Sequence, residues 1–172
     1  NMAIRFLLEV ARSNDVTLIT DAKRDVLKRI CTSTGGNPLA LKFFAAQVEV
    51  GLSIKEELLR LESAETEETL YRYMYFDLWS TLKIPSQKIL VAIPAFAASV
   101  PRFLLQPVAR VSEEEFEPAA DNLIRKSLVE KLENDDIQKC RYSVHQLTRN
   151  FINSDLRAVW DAQKAASQST EL

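Results

Sequence analysis

Two short segments of this 172-residue chain combine residue types that could bind a polar or anionic ligand. Residues 35–41 (GGNPLAL) place two glycines before Asn37 and Pro38, and His145, the only histidine, follows an alternating segment at 140–144. Glycine tolerates a left-handed backbone at a helix end, Asn37 suits the cap of the next helix, and Pro38 fits its first turn. Free N–H groups at a helix start attract anions, and an imidazole there could meet a phosphate with them.

Both segments also have a purely structural interpretation. Proline is common in the first turn of a helix because its missing N–H is not needed there, so Pro38 alone does not indicate a ligand. A histidine at a helix start can hydrogen-bond to its own backbone or pack under a neighbouring hairpin, so His145 could be a capping residue. The residue types leave both interpretations open.

The sequence contains no complete motif for catalysis or phosphate binding. A P-loop needs two glycines five positions apart, followed by Lys and Ser or Thr, whereas the glycines here are Gly35, Gly36 and Gly51. Asp77 and residues 113–115 (EEE) carry carboxylates without a histidine or second acid at a catalytic spacing. The three glutamates suit the first turn of a helix, where the macrodipole favours negative charge. We expect no catalysis by this chain itself.

Composition and charge argue against several other classes of protein. The chain is 47% hydrophobic and 27% charged, and its formal net charge of -2 argues against general affinity for nucleic acids or membranes. Cys31 and Cys140 lack CxxC partners, which favours reduced thiols over disulfides or a zinc site. No apolar run approaches the roughly 20 residues that span a bilayer, so we expect a cytoplasmic protein.

Residues 1–63 are predicted to form a bundle of four helices. The spacing of apolar residues predicts one helix over about 3–12 and a second from about residue 20 to the glycine pair. Pro38 opens the third helix, and a capping box at 53–56 (SIKE) starts the fourth. Because the chain begins inside an amphipathic pattern, we expect it to be part of a longer protein.

A second module is predicted over residues 64–160. An acidic stretch at 63–68 separates it from the first module and leads into a long amphipathic stretch over 70–82. A helix is predicted over 85–96, and a capping box (SEEE) starts another over 112–126.

The spacing of apolar residues changes after the helix predicted over 112–126. Residues 128–132 and 140–144 alternate as half-buried strands do, which predicts a two-stranded hairpin. Helix, helix, helix and hairpin is the order of a winged-helix domain, here followed by a helix over about 145–160. Residues 161–172 are predicted to be a polar tail or linker. The chain as a whole is expected to be mainly α.

The two opening segments resemble motifs of the NB-ARC or STAND class of signal-transduction ATPases. Residues 36–41 (GNPLAL) resemble the GLPL motif, with Asn37 where leucine is usual. Residues 144–147 (VHQL) resemble the MHD motif, in which the histidine is identical but Val144 and Gln146 replace Met and Asp. The helical run before the first motif and the winged-helix pattern after it follow in the family's order.

The resemblance implies an ARC-type helical bundle at 1–63, followed by a winged-helix domain with a small two-stranded wing. In the family, the proline of the first motif packs against the nucleotide base, which would be the role of Pro38 with Gly36 and Leu39 in support. The family's MHD histidine contacts the β-phosphate of ADP, which would be the role of His145. These contacts would hold the closed state until ADP is exchanged for ATP.

The resemblance also implies partners. The parent protein would carry an upstream P-loop domain that binds ADP or ATP with Mg²⁺, and C-terminal sensor repeats are possible. Activation of the parent would lead to oligomerisation.

Two other functions remain open from the sequence. The winged-helix pattern is also used by DNA-binding regulators, with 112–126 as recognition helix, but the glutamates that begin this helix would repel phosphates. The chain could instead be a passive helical scaffold. The aromatic cluster within 71–79 could stack bases, but its helical spacing and the lack of interleaved basic residues favour core packing.

Overall fold

The computed structural model describes residues 2–64 and 66–162, which are mainly helical and include a small antiparallel sheet of three strands. They divide into two compact units. The first runs to Thr81 and also contains Arg125–Ser127, and the second comprises the remaining residues from Leu82 onwards. Among the described residues, no helix is both long enough and apolar enough to cross a membrane.

The described residues of the first unit form six helices, and three of these begin at a side-chain cap. Asn37, Ser53 and Thr66 each accept a backbone N–H with their side chain, and Ser53 and Glu56 complete the expected capping box. The helices are α1 (Met2–Ser13), α2 (Thr17–Thr20), α3 (Arg24–Ser33), α4 (Pro38–Glu49), α5 (Ile54–Ser63) and α6 (Glu67–Ser80).

The core of this unit is built around α4, which is buried on nearly every side from Ala40 to Val48. Its Phe43 ring meets Tyr75 of α6 edge to face, with centroids 4.8 Å apart. Gln47 of α4 donates to the carbonyl of Met74 at 3.1 Å. These contacts attach α6 to the first unit, so the compact units divide after Thr81, whereas the composition of the sequence suggests a division after residue 63.

The sequence pattern did not indicate helix α2. Asp15 adopts a left-handed backbone with φ of 55°, which turns the chain sharply after α1 and lets Val16 and Ile19 enter the core. The segment is only four residues long, too short for apolar spacing to reveal it. Residues 2–63 therefore contain five helices, α1 to α5, where four were predicted.

The second unit begins with α7 (Ile84–Ala92), a 3₁₀ turn (Ile93–Ala95), β1 (Val100–Pro101) and α8 (Arg102–Ala109). Helix α9 (Glu113–Arg125) follows, and its last residue belongs to the first unit.

The strands of this unit form one small sheet. The predicted hairpin is present as β2 (Glu130–Leu132) and β3 (Arg141–Ser143), joined through a 3₁₀ turn (Ile137–Lys139). Strand β1 pairs with the other edge of β3, so the order is β1-β3-β2, and the prediction of a two-stranded wing missed one strand. A two-residue strand is too short for alternation to reveal.

Tyr142 lies at the centre of this sheet, opposite Val100 on one side and Lys131 on the other. Its side chain is fully buried and meets the ring of Phe116 from α9 edge to face, with centroids 5.5 Å apart. The sheet is thus anchored to α9 by one aromatic pair.

The chain continues from β3 into α10 (Gln146–Phe151) and a π-helical stretch (Ile152–Leu156). Residues 157–162 are α-helical, so the long terminal helix predicted for 145–160 is present with a π-bulge in its middle. Most of the predicted tail, 163–172, lies outside the described residues.

Candidate functional site

The glycine pair forms the turn that sets the start of α4. Gly35 and Gly36 are both left-handed, with φ of 60° and 68°, and the N–H of Gly36 donates to the carbonyl of Cys31 at 2.8 Å. A Cβ on Gly36 would meet only Ala3 at 3.7 Å, an ordinary contact. The turn therefore requires glycine for its backbone conformation rather than for space.

Asn37 satisfies the first backbone N–H groups of α4. Its Oδ1 accepts hydrogen bonds from Leu39 at 2.9 Å and from Ala40 at 3.4 Å, while its carbonyl accepts from Leu41 at 3.0 Å. Pro38 has no N–H. The expectation of free N–H groups for an anion therefore does not hold at this helix start, because the cap uses them.

The surface that this segment can still present to a ligand is apolar. Pro38 is exposed, whereas Gly36 and Leu39 are half-buried. A proline ring is rigid, so it can present a flat apolar surface to a ligand with little loss of conformational entropy. Contact with a planar group suits Pro38 better than contact with a phosphate.

A groove of about 460 Å³ lies beside the same turn, within the first unit. The turn contributes Thr34, Gly35 and Asn37, α5 contributes Leu61, α6 contributes Leu70 and Tyr71, and Thr66 comes from the segment between these two helices. The sequence pattern does not connect α5 and α6 with this motif, because these helices begin at Ile54 and Glu67 and only tertiary packing brings them near Asn37.

His145 lies in the second unit, between β3 and α10, where it is the N-cap of the helix. Its Nδ1 accepts a hydrogen bond from the N–H of Leu147 at 3.2 Å, as the structural interpretation of this residue suggested. An imidazole that accepts through Nδ1 carries its proton on Nε2. The residue is exposed, so Nε2–H remains as a donor for an external acceptor.

Arg149 fixes the helix that His145 begins. Its guanidinium donates to the carbonyls of Pro94 and Phe96, at 3.1 and 2.8 Å. Gln146, which stands where the resemblance would place an aspartate, donates instead to Asn150 at 2.8 Å. The histidine therefore sits on a helix start that is held by a charged side chain and by a side-chain hydrogen bond along the helix.

The four predicted site residues occupy two places. Gly36, Pro38 and Leu39 are neighbours at one helix start in the first unit, and His145 belongs to the second unit. Across the described residues, no group of three or more His, Cys, Asp or Glu side chains gathers as a metal site would require.

The other candidate groups of the sequence have structural roles. Asp77 forms an ion pair with Arg60, and Glu115 completes a capping box with Ser112. Of the aromatic cluster at 71–79, the side chains of Tyr71, Tyr75 and Trp79 are buried, as predicted for core packing, whereas Phe76 is half-buried and Tyr73 is exposed.

One unusual carboxyl group was not identified from the sequence. Glu57 of α5 is only 2% exposed, and its buried Oε2 accepts no hydrogen bond from the described residues. Burial, assisted by the nearby Asp77 carboxylate and opposed by Arg60, raises the pKa of Glu57 to about 7. The sequence pattern marks its neighbour Glu56 as the partner of Ser53 in the capping box but carries no signal that Glu57 is buried. Glu56 is exposed, and its hydrogen bonds with Ser53 lower its pKa.

Comparison with known proteins gives no match, either with a protein-family model or with a curated protein or a solved structure.

Proposed function

We propose that this chain is the regulatory part of a STAND or NB-ARC signalling ATPase. Its first unit is an ARC-type helical bundle and its second a winged-helix domain, which together help to hold ADP in a closed state. Exchange of ADP for ATP moves them and permits the parent protein to oligomerise. The chain acts in the cytoplasm.

One observation carries this proposal: an exposed, capping histidine stands directly after the last strand of a small three-stranded antiparallel sheet. Helix α7, strand β1, helices α8 and α9, and strands β2 and β3 succeed one another, with the order β1-β3-β2 in the sheet. His145 comes two residues after β3. This is the position that the MHD-type motif occupies in the family that the chain resembles.

The chemistry of each helix start fits a different part of ADP. Pro38 offers an exposed apolar ring for the base, at a turn that Gly36 and Leu39 support. His145 offers Nε2–H, a hydrogen-bond donor that suits a phosphate oxygen. Since the N–H groups at the start of α4 are already bonded, we assign the phosphate to His145 and not to the first motif.

The chain itself is not an ATPase in this proposal. Its three glycines, at 35, 36 and 51, cannot form a P-loop. A P-loop domain upstream in the same polypeptide supplies most of the phosphate contacts and binds Mg²⁺, and sensor repeats can follow at the C-terminal side.

The test uses the parent polypeptide, purified with its upstream domain, denatured, and analysed by chromatography for released nucleotide. His145→Ala removes the imidazole and the cap together, whereas His145→Asn keeps a capping oxygen and removes only the imidazole. We expect about one ADP per chain in the wild type, and depleted or faster-exchanging ADP in both variants. Asn153→Ala, an exposed change on the same terminal helix, is the matched control.

Loss of ADP in His145→Ala but not in His145→Asn would mean that the residue acts only as a cap, and would contradict the proposed latch. A folded wild-type parent that contains no nucleotide would contradict the whole proposal.

The same element order favours a second candidate, a winged-helix regulator that binds DNA through α9. Its weakness is the first turn of this helix, where residues 113–115 are all exposed glutamates that would face phosphates with like charge. Fluorescence anisotropy with a labelled DNA duplex distinguishes the two candidate functions. Binding by this chain that weakens steeply between 50 and about 200 mM salt would favour the DNA-binding function.

A further inference from the structure

The first unit carries a second groove, which the proposed nucleotide function does not use. It has a volume of about 430 Å³ and lies among α2, α3 and α5. Six apolar side chains line it, namely Leu18, Ala22, Val26, Ile54, Leu58 and Leu59.

These residues come from two segments of the first unit. Leu18 lies on α2, Ala22 in the turn that follows it and Val26 on α3. On α5, Ile54 and Leu58 are four apart, and Leu59 adjoins them. An apolar groove bordered by helices is the kind of surface that binds the apolar face of a further helix.

The groove is open to solvent. Leu18 is 58% exposed and Leu59 is 55% exposed, although both are large apolar side chains. Single exposed leucines are common on protein surfaces, but these two converge on one concave apolar surface. A small-molecule site would enclose most of its ligand, so an open groove suits a peptide segment better.

The charged side chains that line the groove are both basic. Lys55 is exposed and forms no ion pair with the described residues. Arg29 holds the Glu62 carboxylate with Nε and one terminal nitrogen, both at 2.6 Å. A guanidinium has five N–H groups, so Arg29 can still donate to a second carboxylate beside Glu62. Glu62 compensates the charge of Arg29, so the uncompensated positive charge at the groove is that of Lys55, and this charge is complementary to an acidic partner.

We propose that this groove binds an amphipathic helix of a partner protein whose apolar face is flanked by acidic residues. The apolar side chains of that helix lie between Leu18 and Leu59, and its carboxylates meet Lys55 and Arg29. The proposal is independent of the nucleotide function, because none of these residues belongs to the two motifs.

The probe is a fluorescently labelled amphipathic peptide with leucines at positions i, i+4 and i+7 and glutamates beside them. A matched peptide replaces each glutamate by lysine, and a third keeps the glutamates but replaces the leucines by serines. We expect the 172-residue chain to raise the fluorescence anisotropy of the first peptide only. Amide chemical shifts of the isotopically labelled chain should change around the groove and not in the second unit.

Three variants locate the site. Leu59→Ser removes an exposed apolar side chain from the groove. It should lower the affinity for the acidic peptide at least about fivefold without affecting folding. Lys55→Glu should lower the affinity for the acidic peptide and raise the affinity for the lysine peptide. Ile84→Ser, a change at a residue of the second unit that is 57% exposed, is the matched control and should have no effect.

Several results would overturn the proposal. Equal affinity for the glutamate and lysine peptides would contradict the charge complementarity. A loss of affinity in Ile84→Ser equal to that in Leu59→Ser would show that the peptide binds unspecifically to apolar surface. No binding of the acidic peptide at about 1 mM would also refute it. A dimer of this chain in sedimentation experiments that Leu59→Ser dissociates would refute it as well, because a second copy of the chain would then cover the groove.

Discussion

Replacing Glu57 by glutamine should stabilise this protein at neutral and alkaline pH. The carboxyl group is almost completely buried, and the structure raises its pKa from the ordinary 4.5 to about 7. A group that binds its proton more tightly in the folded protein stabilises the fold at low pH. That stabilisation is lost as the pH rises from 4.5 to about 7 and does not return above it.

The magnitude follows from the two pKa values. Each pH unit between 4.5 and about 7 corresponds to about 1.4 kcal/mol, so the charged carboxylate costs at most about 3 kcal/mol above pH 7. Glutamine has nearly the same shape and stays neutral. We therefore expect Glu57→Gln to raise the free energy of unfolding by about 2 to 3 kcal/mol at pH 8 and to change it little at pH 4.5.

The assay is urea unfolding followed by circular dichroism at several pH values between 4.5 and 8.5. The readout is the difference between variant and wild type at each pH, with a carbon-13 NMR titration of the Glu57 carboxyl as a direct check. Glu56→Gln is the matched control, because Glu56 is an exposed neighbour whose pKa is lowered by Ser53. It should give no gain at pH 8.

Two results would refute the reasoning. A gain that is the same at pH 4.5 and pH 8 would come from packing or polarity and not from titration. A loss of stability at pH 8 would mean that the charged carboxylate of Glu57 is stabilised by a favourable partner, such as Arg60, and does not destabilise the fold.

Three further predictions concern stability and can be measured by urea unfolding at pH 7. His145→Ala should cost about 1 kcal/mol because it removes the N-cap of α10, whereas His145→Asn should cost much less. Gly36→Ala should cost about 1 to 2 kcal/mol, since a side chain is strained at a φ of 68° although the space is free. Glu117→Ala should cost about 3 to 5 kcal/mol by leaving the guanidinium of Arg102, 4% exposed, without its carboxylate. Arg102→Met should cost less than Glu117→Ala, because it leaves no buried charge, and the opposite order would contradict this account.

The local signals of the sequence predicted much of the fold. Asn37, Ser53 and Ser112 are caps in the structure because a cap depends on a few neighbouring residues. The change from helical spacing to alternation after α9 located both strands of the hairpin.

The sequence pattern did not predict two short elements or the long-range contacts of α6. Helix α2 and strand β1 are shorter than the windows over which a period can be recognised, so neither was predicted. The position of α6 in the first unit depends on contacts such as Phe43 with Tyr75, which no local pattern encodes.

The sequence by itself determined where the two candidate motifs lie and which residues begin their helices, because capping and glycine conformation are local properties. Only the tertiary structure decided how each group can act. It assigned the N–H groups of α4 to Asn37 and left Pro38 exposed, and it turned Nδ1 of His145 to the backbone. It also buried Glu57 while its neighbour stayed in water, because burial depends on which helix face meets the core.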